Sequence, residues 1–285
     1  MSVHERVRGL GEIEVLDRAA KPLGELAARL IPRGPVKDTL SGTWLGHPLH
    51  PVLTDVAIGA FFSASLLDAL GGRRGEAAAD TLVAVGVAAA LPTAAAGLSD
   101  WSDTYGPDKR VGVVHAASNL TGVKLYAASL LARRSGHRLT GRALGFLGLG
   151  ALSIGGFLGG YLSFARGIGV NNSFWQHPPE DWTAVLDENA LPEGSPVHVQ
   201  AGEATVLLYR RADRIFAIGN RCSHAGGPLH EGKIDENPAC VTCPWHQSVF
   251  QLSDGAVVHG PASVPQPAYD VRVEGGQIEV RGRRP

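Results

Sequence analysis

Apolar and polar residues are distributed along this chain in two ways, and the change comes near residue 166. Before it lie four long apolar runs: Pro51 to Leu70, Thr81 to Leu98, Val111 to Leu131 and Ala143 to Ala165. The last holds twenty-three residues without a charge, enough to cross about 30 Å of hydrocarbon at roughly 1.5 Å per residue. The others are shorter or carry a blemish such as Lys124. Four such runs in succession predict a four-helix transmembrane bundle, because a helix satisfies its own backbone hydrogen bonds in lipid. Beyond residue 182 apolar and polar residues alternate in short stretches: Trp182 to Val185, Val197 to Val199, Ala204 to Arg210, Arg214 to Ile218, Val249 to Leu252, Tyr269 to Val273 and Gln277 to Arg281. Turn-forming sequences such as Ser253-Asp-Gly-Ala and Glu274-Gly-Gly separate them, which predicts an antiparallel β sandwich or barrel.

The expected fold is therefore multidomain, an N-terminal four-helix transmembrane bundle followed by a C-terminal all-β domain. Its boundaries are a polar segment over 1–45, the bundle over 46–165, a linker over 166–181 and the β domain over 182–285. Within the first segment, Glu12 to Ile31 places its apolar residues near a helical period. That helix either lies on a membrane surface or packs on its own domain, and the second is preferred. The linker is rich in glycine, asparagine and proline, the composition of a mobile tether, although a fixed connection is equally allowed. In the fourth run Gly155, Gly156, Gly159 and Gly160 form two overlapping Gly-x-x-x-Gly pairs, suggesting a close helix contact or only the usual abundance of glycine in membrane helices.

Composition narrows the function. A formal charge of −1 with 44% hydrophobic residues argues against a nucleic-acid partner. Three cysteines leave no disulfide framework once two are used as ligands. The first forty residues are charged throughout, so no signal peptide is expected.

The chemistry is concentrated in Cys222-Ser-His224 and Cys243-Pro-Trp-His246, with eighteen residues between His224 and Cys243. Each pair is short enough for one loop to present both side chains, and a strand pair in the gap can bring the loops together. Two thiolates and two imidazoles can hold a tetrahedral zinc, but zinc fingers usually keep like ligands together. One cysteine and one histidine per loop suits a [2Fe-2S] cluster with cysteines on one iron and histidines on the other.

Cys222-Ser-His-Ala-Gly-Gly-Pro-Leu229, Cys243-Pro-Trp-His246 and Gly260-Pro261-Ala262 resemble the two cluster loops and the proline loop of Rieske iron-sulfur domains. The resemblance covers roughly Trp182 to Pro285. It implies Cys222 and Cys243 as ligands of the inner iron and His224 and His246 as ligands of the outer, solvent-facing iron. Pro228, Leu229, Pro244 and Trp245 would form an apolar collar around the cluster. High-potential members carry two further cysteines, matched here by Gly227 and Trp245, so the likeness is to the ferredoxin-like members that feed oxygenases. Ser248 stands where a hydroxyl donates to a cluster sulfur, whereas Phe250 replaces a tyrosine. Hydrogen bonds to the sulfurs favour the reduced cluster, so the expected potential is in the lower or middle part of roughly −150 to +300 mV. Gln247 replaces a common glycine and would be strained if its φ is positive. Cys240 is expected to be a small buried side chain on a strand, His198 and His259 ordinary strand residues, and His230 a solvated one.

Gly42-Thr-Trp-Leu-Gly-His47-Pro-Leu-His50-Pro with Asp55 is similar to the opening of a family of small bacterial four-helix membrane proteins of unassigned function. Such domains also occur fused to Rieske domains; the resemblance covers about 35–165 and implies no activity. With four spans, His47, His50, Asp55, Asp100, Trp101, Asp103, His115 and the β domain share one membrane face. His50 and His115 there would either ligate a haem b or contact a quinol, or else cap helices and hydrogen-bond in the interface, the preferred reading.

Arg73, Arg74, Arg133, Arg134, Arg138 and Arg142 flank the opposite face, against Arg33, Lys37, Lys109, Arg110 and Arg166 beside the β domain. The N-terminal tail adds Arg6, Arg8, Arg18, Lys21 and Arg29 to the second group, which favours a cytoplasmic β domain in a multi-pass protein of the bacterial inner membrane. Export through Arg133-Arg134 as a twin-arginine signal is the opposing reading. The expected function is a membrane-anchored Rieske electron carrier or oxidoreductase component without a substrate-converting site of its own. Its expected partners are a reductase or quinol, an oxygenase or respiratory acceptor, and the lipid membrane. A redox or iron-sulfur sensor is the alternative.

Overall fold

The computed structural model describes residues 2–236 and 239–283, so the last two residues of the expected β domain lie outside it. The chain forms two compact units, one made of residues up to Pro32 with Leu49–Ile168, the other of Arg33–Pro48 with residues from Gly169 onward.

The helical unit opens with α1 (Val3–Gly11), whose capping box has Ser2 Oγ accepting from the Glu5 N–H while Glu5 accepts from the Ser2 N–H. The amphipathic stretch expected over Glu12 to Ile31 becomes a short 3-10 turn at Glu14–Leu16 and α2 (Asp17–Leu30). It packs on its own unit, with Asp17 taking a two-pronged ion pair from Arg110. Four long helices follow: α4 (Leu49–Leu70), α5 (Glu76–Ser102), α6 (Gly106–Arg134) and α7 (Arg138–Gly160). The seven-residue helix α3 (Pro35–Ser41) belongs to the other unit. Helix α4 packs mainly on α5 and α6 on α7.

Small residues let these helices approach. A Cβ on Gly86 would lie 2.6 Å from the Phe61 ring, and one on Gly148 would lie 2.9 Å from Tyr126. Phe61 and Tyr126 stack at 4.1 Å, and the Tyr126 hydroxyl bonds Ser65 at 2.7 Å. Of the two glycine pairs in α7, one has a packing role. A Cβ on Gly155 would strike Asn119 and one on Gly159 would meet His115, whereas Gly156 faces open space.

Among the described residues, three stretches are long and apolar enough to cross a membrane: Leu49–Leu70, Gly72–Ser102 and Arg138–Ala165. At most a third of each apolar window is buried inside the protein, and side chains such as Phe62, Leu91, Leu147, Ile154 and Phe157 point outward. The fourth expected span, α6, is as long but more polar: His115, Ser129 and Arg133 bond to neighbouring helices, and Asn119 lies against Gly155 of α7.

Arg133 is the most consequential of these. Its side chain is fully buried, and it donates to Asp68 on α4 and at 3.0 Å to Asp80 on α5. Arg138 also holds Asp80, at 2.8 Å, and Arg142 holds Glu76 at 3.2 Å. Three arginines counted above as loop charges are thus paired with acids of the same unit, and half of Arg133-Arg134 has a structural role.

Among the described residues the named strands of the β unit pair antiparallel. One sheet has the order β1 (Thr183–Asp187), β10 (Gln277–Gly282), β9 (Tyr269–Glu274); a second has β2 (Val197–Ala201), β3 (Ala204–Arg211), β4 (Arg214–Gly219). The third runs β5 (Lys233–Glu236), β6 (Ala239–Thr242), β7 (Val249–Gln251), β8 (Val257–His259). Strand β3 turns alternate residues to two cores. Val206 and Leu208 pack with Val199, Ile278 and Val280, while Leu207 and Tyr209 pack with Val241, Phe250 and both Cys222 and Cys243. The linker is packed rather than loose from Asn171 onward: Gln176 accepts from both the backbone and the hydroxyl of Thr205.

Removing Arg133 would leave Asp68 buried with less compensation. Arg133→Met is expected to destabilise the helical unit by about 3–5 kcal/mol, and adding Asp68→Asn should recover part of the loss. Thermal unfolding in detergent, followed by circular dichroism, measures both.

Candidate metal centre

Two loops leave the strands at one end of the second core. The first follows β4, and its turn is closed by Cys222 N–H donating to Gly227 O at 2.9 Å and Gly226 N–H donating to Cys222 O at 2.8 Å. The second joins β6 to β7 and is closed by Cys243 N–H donating to Ser248 O at 2.8 Å and Gln247 N–H donating to Cys243 O at 3.0 Å. Each turn therefore presents one cysteine and one histidine. Gln247 has φ +62°, so the turn places a non-glycine residue in the left-handed region, as the strained alternative anticipated.

The loops meet closely. A Cβ on Gly227 would lie 2.8 Å from Cys243 Sγ and 3.1 Å from the Trp245 ring, which leaves that position only a hydrogen. Cys222 and Cys243 are each 1% exposed and belong to the apolar core. The Cys222 thiol donates to the Cys243 sulfur; this bond and burial push its pKa up. The same bond pulls the Cys243 thiol down to about 7. The rings of His224 and His246 lie side by side, centroids 4.8 Å apart and nearly perpendicular. Sulfur is paired with sulfur and ring with ring. Among the described residues no three His, Cys, Asp or Glu side chains are arranged around one metal-ion position. A donor set in two like pairs fits two adjacent irons.

A Rieske [2Fe-2S] domain model matches residues 181–270, and a model described as predicted membrane protein (DUF2231) matches residues 46–172. Over 100 residues the chain is 31% identical to the anthranilate 1,2-dioxygenase ferredoxin subunit of Burkholderia cepacia, an alignment spanning 35% of this chain and 91% of that protein. The chain belongs to the Rieske [2Fe-2S] family. The 3-phenylpropionate/cinnamic acid dioxygenase ferredoxin subunit of Escherichia coli (strain K12) is 34% identical over 88 residues, 31% of this chain and 81% of that one. The solved ferredoxin of carbazole 1,9a-dioxygenase from Nocardioides aromaticivorans IC177 is 31% identical, with a TM-score of 0.35, and spans 36% of this chain and all of its own.

The cofactor of this Rieske domain is a [2Fe-2S] cluster. Around the cluster loops, the hydroxyl of Ser248 accepts from Ala262 N–H at 2.9 Å, which ties the second loop to the proline loop and leaves its own proton free to donate. Pro244 and Trp245 are exposed, but Leu229 is fully buried in the core, so Leu229 supports the loop from beneath instead of joining the collar. Cys240 is buried on β6, where desolvation raises its thiol pKa.

His230 is not a freely solvated side chain. Its N–H donates to Asn220 Oδ1 at 2.9 Å, its Nδ1 lies 3.1 Å from the same atom, and its ring is 4.1 Å from that of His198. Burial and the neighbouring His198 lower its pKa.

Three residues near the loops carried no signal in the sequence: Arg33, whose guanidinium reaches the His246 carbonyl, Asp38, which binds Gly260, and Asn172, whose amide reaches the His224 carbonyl. Their partners are tens to hundreds of residues away.

In the helical unit His50 and His115 do come together, ring centroids 6.5 Å apart. His50 Nδ1 meets Thr93 O at 3.0 Å and His115 Nδ1 meets Gly155 O at 2.7 Å, while Asn119 Nδ2 lies 3.2 Å from His115 Nε2.

Gly227→Val should prevent the loops from closing, and the purified protein should then lose most of its iron and acid-labile sulfide on chemical assay. Gln247→Gly should be neutral or stabilising by up to about 1 kcal/mol, because relief of the left-handed strain opposes the added freedom of the unfolded chain; chemical denaturation of the loaded protein tests it.

Proposed function

We propose that this chain is a membrane-anchored one-electron carrier in which Cys222 and Cys243 hold the inner iron of the cluster and His224 and His246 hold the outer one. The observation that carries this reading is the pairing of two buried thiols with two adjacent imidazoles on facing loops. When bound, the cluster supplies reversible one-electron chemistry. The protein keeps the sulfur side dry, with Leu207, Tyr209, Phe250 and Leu252 packed around the cysteines. His246 is buried whereas His224 is partly exposed, so the edge that exchanges electrons is His224, while Pro244 and Trp245 are exposed on the facing loop.

A soluble reductase or an oxygenase is the partner class favoured by the relatives, which are dioxygenase ferredoxin subunits. The anchor is the helical unit, supported by three long apolar helices with outward-facing apolar side chains. We assign it to a bacterial inner membrane as a multi-pass domain, with the Rieske domain cytoplasmic because the charged N-terminal tail resists translocation. His50 and His115 act in packing: both ring Nδ1 atoms are engaged by helix carbonyls and Asn119 approaches the remaining nitrogen of His115.

Full-length protein purified in detergent without oxygen and reduced with dithionite should give a rhombic Rieske EPR signal with no haem bands. Its midpoint potential should fall in the lower or middle part of roughly −150 to +300 mV. His224→Ala should abolish the signal, and the protein should resist carbonate extraction from membranes. Absence of any iron-sulfur signal in the parent protein would overturn the cluster assignment; haem bands lost on His115→Ala would overturn the packing role.

A further inference from the structure

The cluster loops are held by side chains from outside the matched Rieske region. Arg33 Nη1 donates to the carbonyl of His246 at 2.7 Å. On the other loop, Asn172 Nδ2 donates to the carbonyl of His224 at 2.9 Å, and the Asn172 N–H donates to Ser223 O at 2.8 Å. The proline loop is held as well. Asp38 accepts from Gly260 N–H on Oδ1 at 2.7 Å and meets His259 Nδ1 on Oδ2 at 2.9 Å, while the Thr43 hydroxyl donates to Ala262 O at 3.1 Å. The contact is close: a Cβ on Gly260 would lie 2.8 Å from Thr43 Oγ1 and 3.6 Å from Ser41 Cβ.

These residues come from the two stretches that flank the membrane bundle in sequence, Arg33–Pro48 just before α4 and the stretch from Gly169 just after α7. Two of the carbonyls they hold, one on each loop, belong to the histidines assigned to the outer iron. We propose that these flanks are part of the cluster site: Arg33, Asp38 and Asn172 are positioning residues that fix the two histidine loops and the proline loop. This rests on the assignment of the cluster ligands above. Two consequences follow. A cation beside the second loop favours the more negative reduced cluster, so Arg33 raises the potential. A Rieske domain cut at residue 181 lacks all of these contacts and has an altered cluster environment.

The test uses the full chain in detergent. Arg33→Ala should lower the midpoint potential and Arg33→Lys, which keeps the charge, should restore part of it. Asn172→Ala should shift the g values of the reduced cluster. Independently of iron, Asp38→Ala should raise hydrogen exchange at the Gly260 amide about tenfold, the scale of one lost charge-assisted hydrogen bond, and Asp38→Asn, which keeps an acceptor, should restore protection. A parent protein with a Rieske signal whose potential, g values and Gly260 exchange are all unchanged in the variants would overturn the proposal. So would exchange that rises while potential and spectrum stay at parent values, because the flank would then be only a structural contact. A parent protein without a Rieske signal would instead overturn the ligand assignment, and the exchange measurement, which needs no iron, tells the two failures apart.

Discussion

Two thiols must be brought together in a place that water does not reach, and the β unit is arranged around that requirement. Cys222 and Cys243 sit in the apolar core itself, against Leu207, Tyr209 and Phe250. Strand β3 serves both cores because alternate residues face opposite sides of a sheet. The loops then need only short turns to place a histidine two or three residues beyond each cysteine. Gly227 is the point at which the two loops touch, and its missing side chain is the space occupied by Cys243.

Local signals made much of this legible in the sequence. The Cys-x-His and Cys-x-x-His pairs lie within single turns, and strands such as Ala204–Arg211 announce themselves by β-branched and aromatic residues near glycine-rich turns. Strand β5, Lys-Ile-Asp-Glu, was hidden by its charges, and β8 by its length of three residues. Its partner in the ladder, not its own composition, makes each a strand. The seat of α3 was beyond sequence reading for a different reason. Arg33 and His246 are 213 positions apart and Asp38 and Gly260 are 222 apart, with no periodicity to link them.

The helical unit shows how polar residues in an apolar segment mislead when counted and inform when placed. Val111 to Leu131 read as a span with a blemish, yet the residues that matter are elsewhere in α6. His115 and Asn119 lie against Gly155 and Gly159 of α7, whose bare backbone admits them, while Ser129 and Arg133 bond toward Gly141 and Asp68. Lys124, the charge that stood out in the sequence, is exposed. Polarity in α6 is thus mostly spent on binding its neighbours, which is also why its overall composition is less apolar than theirs.

The buried pairing of Arg133 with Asp68 and Asp80 has a temporal side. A guanidinium buried alone is costly, but the chain is made from its N-terminus, so α4 and α5 with both carboxylates precede α6. Arg133, at the very end of α6, is also the last part of that helix to arrive. The order of synthesis supplies each acid before the base that needs it, and α7, bringing Arg138 and Arg142 to the same acids, closes the assembly from the outside. The charge network is therefore completed in the order in which its helices are made.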